Sequence, residues 1–231
     1  FNEASGAWTY TLDNSLAATQ ALADGEPASD TLTVFSVDTT ANETITVDIT
    51  GTNDVAVISG DAAGIVIEDD ATTLTFGTLT ATDIDNGEGS FVAANPVDLG
   101  GTYGVFTFDE TTGYWTYTLD NTLAATNALR GSETVYETLT VTTDDGTTQE
   151  IVVTINGAND VATISGDNSG VVVEDAATAL TSGVLTVTDP DSGESVFAAP
   201  AAVDLSGTYG NFTFNEASGA WTYTLDNSLA A

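Results

Sequence analysis

Residues 1–18 (FNEASGAWTYTLDNSLAA) are identical to residues 214–231, and a close variant (FDETTGYWTYTLDNTLAA) fills residues 108–125. Trp8, Trp115 and Trp221 mark a period of about 106 residues. A fixed internal period limits what a chain can fold into more than any local propensity does. One of this length suits one ordinary domain per copy, each with its own core. The spacing predicts a complete repeat over residues 55–160. Residues 1–54 then form the C-terminal part of a first repeat, and residues 161–231 the N-terminal part of a third. Neither chain end is expected to coincide with a domain boundary.

Within a repeat the pattern is all-β. Short runs of Thr, Val, Ile and aromatic residues alternate and are separated by Gly, Asp and Asn turns. In the complete copy, strands are predicted over 64–67, 74–82, 103–108, 114–119, 137–143 and 150–155, with Gly77 as a bulge. The Asp145–Gly146 pair signals a hairpin turn. Period two places Trp115, Tyr117 and Leu119 on one face, Leu139 and Val141 on one, and Ile151, Val153 and Ile155 on one. The segment 122–129 (TLAATNAL) breaks the rhythm and reads as a short helical crossover. About seven strands per hundred residues, with long connections, predicts tandem Greek-key β-sandwiches of immunoglobulin type. The segments between repeats, 51–60 and 157–166, are short and predict closely set domains.

Composition narrows function. The chain holds 35 acidic residues against one basic residue, Arg130, with no His and a formal charge of −34. Such a surface repels nucleic acid and anionic membrane and attracts cations. With 42% hydrophobic residues, the chain is too apolar for a merely solvated tail. Without His, Cys or Lys, acid–base and nucleophilic catalysis are left with carboxylates and hydroxyls alone, and no serine has a recognisable base. The chain is therefore read as not an enzyme. No segment reads as a membrane span. Each Trp is read as core rather than as a sugar platform, because Trp115 is in phase with Tyr117 and Leu119.

Acidic motifs recur in phase. Asn53–Asp54 and Asn159–Asp160 stand between repeats. Asp83-Ile84-Asp85-Asn86-Gly87-Glu88 is matched by Asp189-Pro190-Asp191-Ser192-Gly193-Glu194. Glu68–Asp69 is matched by Glu174–Asp175, and a Leu-Asp-Asn corner recurs at Asp13, Asp120 and Asp226. Alternate carboxylates of a D-x-D-x-G loop aim at one point, and oxygen-only ligands suit Ca2+, which takes six to eight of them. Zinc, copper and haem are poorly served without His, Cys or Met. The competing reading is that Asp, Asn and Gly simply make turns, with the acids as solvated surface.

In order, the repeat reads V-x-E-D, L-T-A-T-D-x-D, Y-G-x-F-T-F, W-T-Y-T-L-D-N, E-T-L-T-V and I-T-G-T-N-D. It resembles the VCBS-type, bacterial cadherin-like tandem repeats of giant surface adhesins, including the extender regions of repeats-in-toxin adhesins. The resemblance implies a secreted or bacterial cell-surface stalk for cell adhesion and biofilm, stiffened by Ca2+ between domains. Carried over by motif, the first junction uses Asn53, Asp54, Asp83, Asp85 and Asp13. The second uses Asn159, Asp160, Asp189, Asp191, Asp120 and Glu68, and Glu174 serves a third. Animal cadherins have a D-x-N-D-N linker and an L-D-x-E corner. The leading Asp and the corner Glu are missing here, which implies fewer ions per junction.

The expected partners are neighbouring repeats of the same chain or of an identical one, with no nucleic acid and no membrane insertion in this segment. Two other readings stay open: a filament or matrix homopolymer completed by strand exchange between copies, and a glycan- or protein-binding module.

Overall fold

The computed structural model describes residues 1–228. The last three residues of the duplicated segment, 229–231, lie outside the described residues. Among the described residues, thirteen strands follow one short helix. In the first partial repeat these are α1 (Ala17–Gln20), β1 (Pro27–Phe35) and β2 (Asn42–Thr50). The middle repeat contributes β3 (Val57–Gly60), β4 (Ala63–Ile67), β5 (Leu74–Thr82), β6 (Gly104–Phe108), β7 (Tyr114–Leu119), β8 (Thr134–Thr142) and β9 (Thr148–Asn156). The third part adds β10 (Thr163–Gly166), β11 (Leu180–Thr188), β12 (Gly210–Asn215) and β13 (Ala220–Leu225).

The middle repeat is the immunoglobulin- or cadherin-like β-sandwich expected from the strand pattern and the resemblance. One sheet runs β3-β5-β7-β6 and the other β4-β9-β8. β4 lies in the other sheet between β3 and β5, so the chain crosses between sheets, and β5 neighbours β7 rather than β6, so the first sheet is not a simple meander. An isolated bridge from Phe91 to Thr143 extends the second sheet's edge. The third part repeats the first sheet as β10-β11-β13-β12, and the first part repeats the β8–β9 hairpin as β1-β2.

The described chain forms two compact units. The first holds Phe1–Ile65, Leu74–Thr118 and Tyr136–Thr154. The second holds Val66–Thr73, Leu119–Val135 and the chain from Ile155 onward. Each unit thus contains one whole junction. In the first unit, Leu79, Phe106, Trp115, Tyr117, Leu139 and Val141 are buried core. Their alternation with exposed threonines follows the period-two assignment. In the second unit, Leu119, Leu129, Ile155 and Thr126 are buried.

Three local expectations change. Gly77 makes no bulge: the register from Leu74↔Thr118 to Thr78↔Tyr114 is unbroken. It is glycine because the Trp115 indole and the Asp61 carbonyl lie where a Cβ would project. Val57–Gly60, read as linker, is strand β3 and pairs with β5 from Val57↔Thr82 to Gly60↔Leu79. The crossover at 122–129 is a succession of turns (Thr126 N–H to Leu123 C=O, Asn127 N–H to Leu123 C=O, Leu129 N–H to Thr126 C=O), whereas its first-repeat copy forms a short α-helix at Ala17–Gln20.

Candidate functional site

Both junctions are built alike. In the first unit, Asp83 Oδ1 accepts the Asp85 N–H at 2.8 Å. That turn, completed by Gly87 at φ +85°, carries Asp85 inward. Asp85 Oδ2 then accepts the N–H of Asp54 at 2.7 Å. In the second unit the corresponding distances are 2.9 Å for Asp191 N–H to Asp189 and 3.0 Å for Asp160 N–H to Asp191. Each loop also docks on the preceding repeat: Asn86 N–H donates to Ala21 C=O, and Ser192 N–H to Ala128 C=O, both at 3.1 Å. The sequence-level pairing of Asn–Asp with D-x-D is thus a physical contact at both places.

Burial makes these acids unusual. Asp85 is 3% exposed, Asp191 1% and Glu68 2%. A buried charge is costly unless its lone pairs are engaged. Each of the three has one oxygen engaged and one buried oxygen with no protein donor, namely Asp85 Oδ1, Asp191 Oδ1 and Glu68 Oε1. Asp83 Oδ2, Glu88 Oε2 and Asn121 Oδ1 are buried and undonated as well. Glu68 reaches its place through the turn at Asp69, which holds a left-handed φ of 58°. Its N–H donates to Asn156 C=O, and its Oε2 accepts the Ala158 N–H at 3.0 Å.

The electrostatics agree. Burial holds the Glu68 carboxyl above the ordinary range, and the charges of Asp160, Asp69 and Asp191 add to that; the Ala158 N–H opposes it. Asp160 is raised by burial and then by Asp69, Asp191 and Asp189. Glu88 is raised by burial, followed by Asp85, Asp83, Asp145 and Asp144. Among the described residues, no group of three or more acidic side chains stands in ready metal-holding geometry. The donor set nevertheless fits a hard divalent cation, because it offers only oxygens and several of them lack any protein donor.

The other expected residues fall in different settings. Asn53 and Asn159 each donate their side-chain N–H to the next carbonyl, at 2.7 and 2.5 Å, which leaves Oδ1 as the acceptor to be used. Asp13 and Asp120 cap turns: Oδ1 of Asp120 takes the N–H and hydroxyl of Thr122, and Oδ1 of Asp13 those of Ser15. These bonds hold both carboxyls below the ordinary range. At the corner, the undonated oxygen belongs to Asn121. Its copy Asn14 lines a cleft with Asp54, Thr52 and Gln20. Glu174, unlike Glu68, is exposed. Sequence reasoning passed over Glu88 and Asn121. Glu88 was visible as the last residue of the in-phase D-I-D-N-G-E motif. Asn121 was masked by the Asp beside it.

Glu68 yields a pH prediction. Its folded pKa lies above the unfolded one, near 4.3. In chelator, then, its contribution to stability is present in acid and is lost as pH rises through the folded value. A bound cation favours the ionised form and reverses that order. Carboxyl-carbon NMR is expected to show Glu68 titrating above the ordinary range in chelator and below it with calcium. An unshifted curve on adding calcium counts against Glu68 as a ligand.

No protein-family model matches the chain, and no curated protein matches it. Among solved structures it is similar to the protocadherin GammaB4 extracellular domain, at TM-score 0.43 and 16% identity, over 86% of this chain and 37% of that one. It is similar to the human desmocollin-1 ectodomain at TM-score 0.31 and 15% identity, over 84% of this chain and 36% of that one. For domains 4–9 of the surface layer protein SbsC the values are 0.26 and 16%, over 88% and 32%. The chain spans about a third of the length of each of these.

Proposed function

We propose that this segment is a non-catalytic extender of an extracellular adhesin, and that calcium bound at each repeat junction stiffens it. The observation that carries the reading is the recurrence of one device at both junctions. A buried Asp (Asp85 or Asp191) holds the Asn–Asp backbone with one oxygen, while its other oxygen has no protein donor. Calcium would be held by that oxygen together with Asp54, Asp83, Asn53 and Glu88 at the first junction. At the second, Asp160, Asp189, Asn159, Glu68 and Asn121 would join Asp191. The ion supplies the positive charge that a chain with one basic residue cannot.

The effect is mechanical. Without the ion, carboxylate repulsion opposes the docked loop. With it, the same groups share one centre, and bending the junction breaks ligation. For an extracellular-type site with a dissociation constant of about 0.1–1 mM, ion at ten to a hundred times that value stabilises a junction by about 1.4–2.7 kcal/mol. That suffices to populate one junction geometry reversibly.

Titration calorimetry combined with size-separated small-angle scattering tests this. Saturable calcium binding with a longer, less variable maximum dimension than in chelator is expected. Binding without any change in dimension would discard the stiffening mechanism, and no binding would discard the site.

A further inference from the structure

Arg130 is the only basic residue among 231, and Lys is absent. It lies in the turn that joins the crossover to β8, and its copy in the first repeat is Ala23. The two turns are built alike. The Glu133 N–H donates to the Arg130 carbonyl at 2.8 Å, and the Glu26 N–H to the Ala23 carbonyl at 2.9 Å. The same glutamates also take the preceding N–H: Glu133 Oε2 accepts that of Arg130 at 3.4 Å, and Glu26 Oε2 that of Ala23 at 3.1 Å. In each turn a glycine, Gly157 or Gly51, packs so closely on the carbonyl that a Cβ would collide with it. Alanine makes this turn as well as arginine does, so the turn does not need the guanidinium.

The turn exposes the Arg130 side chain and engages the backbone around it. Arg130, Gly131 and Ser132 are all exposed, as suits a site of proteolytic nicking. An endopeptidase specific for arginine holds that side chain in a pocket, and it also draws the flanking residues into an extended strand paired with its own backbone. Here those flanking groups are taken. The Ala128 carbonyl accepts the Ser192 N–H of the second junction's D-P-D-S loop at 3.1 Å. Leu129 is 3% exposed, and its N–H donates to Thr126 C=O at 3.0 Å. Gly131 packs on Asn159, whose nitrogen would lie 3.1 Å from a Cβ at that place. The side chain is offered while the bond is shut, and two residues that shut it, Ser192 and Asn159, belong to the junction.

We propose that Arg130–Gly131 is a cleavage site for an extracellular arginine-specific endopeptidase, and that the second junction guards it. When the D-P-D-S loop undocks, Ala128 is freed and the segment can extend into a protease cleft. Hydrolysis adds one water across the amide. The water oxygen joins the Arg130 carbonyl carbon as a carboxylate, and both protons go to the Gly131 nitrogen as a new ammonium terminus. The cut falls between β7 and β8. The middle sandwich is then held by its core alone, and the β8–β9 ribbon can leave with everything downstream. Control of the guard rests on the calcium reading proposed above. Ion at ten to a hundred times its dissociation constant lowers the undocked population by about tenfold to a hundredfold. Proteolysis of a transiently opened segment follows that population.

Trypsin digestion of the whole chain in calcium and in chelator, read by denaturing mass spectrometry, tests the proposal. Enzyme activity in each solvent is normalised on a small arginine amide, and calcium binding is measured by calorimetry on the same chain. A synthetic peptide of residues 124–136 sets the unguarded rate. One cut is expected, giving residues 1–130 and 131–231. In calcium it is expected to be slower than in the peptide by about a hundredfold, and in chelator faster than in calcium by about tenfold or more. Arg130→Ala is expected to abolish cleavage and to leave calcium binding and the thermal transition unchanged, since Ala23 forms the same turn. Ala23→Arg is expected to create a second guarded cut, after residue 23, where the Asn86 N–H holds the Ala21 carbonyl as Ser192 holds Ala128. Cleavage in calcium as fast as that of the peptide overturns the guard, and so do equal rates in the two solvents while calorimetry shows bound calcium. No cut in chelator overturns the site, and a destabilised Arg130→Ala gives the residue a structural role instead. Absence of calcium binding defeats the calcium reading by itself, and the ratio of chain to peptide rates then decides the guard.

Discussion

Trp115→Ala is expected to destabilise the middle repeat by about 4 kcal/mol, whereas Trp8→Ala changes the chain's stability by about 0.5 kcal/mol or less. The two residues sit in the same W-T-Y-T-L context, so propensity cannot separate them. Surroundings do. The Trp115 ring is wholly buried against Gly77, and its Nε1–H donates to the Asp61 carbonyl at 2.7 Å. Alanine leaves a cavity that the paired strands β5 and β7 cannot collapse into, and it strips the buried carbonyl of its donor. For a domain of about this size, the loss corresponds to a fall in melting temperature of about 15 °C or more. Calorimetry of both variants checks it. Comparable losses for the two tryptophans would mean that the first partial repeat is as well packed as the middle one.

That contrast shows how far sequence alone could reach. Alternation identified the inward faces of β7, β8 and β9 because Trp115, Leu139 and Ile151 lie on strands with buried partners. The sequence AWTYTL, however, is a strand at Ala220–Leu225 and unpaired at residues 7–12. A β-strand is a pairing event, and its partner can lie far along the chain or outside it. The same limit explains the missed β3. Its four residues are too few to show a period, and only the register to β5 makes them a strand. Gly77 misled for a related reason: a glycine in a strand signals close approach, and here what approaches is an indole rather than a bulged backbone.

The acidic device was more legible than the fold around it. The resemblance assigns Asp85 and Asp54 to one junction and Asp191 and Asp160 to the next, and the contacts between them recur with the repeat. What did not show was which oxygen is already used. Asp120 and Asn121 are adjacent in sequence, yet the Asp is engaged by Thr122 while the Asn keeps a buried, undonated oxygen. Hydroxyl residues two positions after an Asp are the sign of such a turn, and Ser15, Thr122 and Ser228 all occupy that place. Glu68 and Glu174 share a motif but not a setting, because the segment that buries Glu68 comes from the far end of its own repeat.

Asp191→Asn is expected to change stability in opposite directions in the two solvents. In chelator, the variant removes one buried charge from a group that includes Glu68, Asp160 and Asp189, while an amide oxygen can still accept the Asp160 N–H. Removing an uncompensated buried charge of this kind should stabilise the second unit by about 1–2 kcal/mol. In calcium the variant loses a charged ligand, which lowers affinity about a hundredfold, and at about 1.4 kcal/mol per factor of ten this costs about 2.8 kcal/mol. At saturating ion, that loss outweighs the relief of repulsion, so the sign reverses. A merely structural Asp191 would give one sign in both solvents, because its bond to Asp160 is the same in each. A purely surface charge would give almost no effect in either. Thermal denaturation of wild type and variant with calcium and with chelator therefore separates three roles for one side chain. Asp85→Asn repeats the test at the first junction, where Glu88 is the raised carboxyl that its charge acts on.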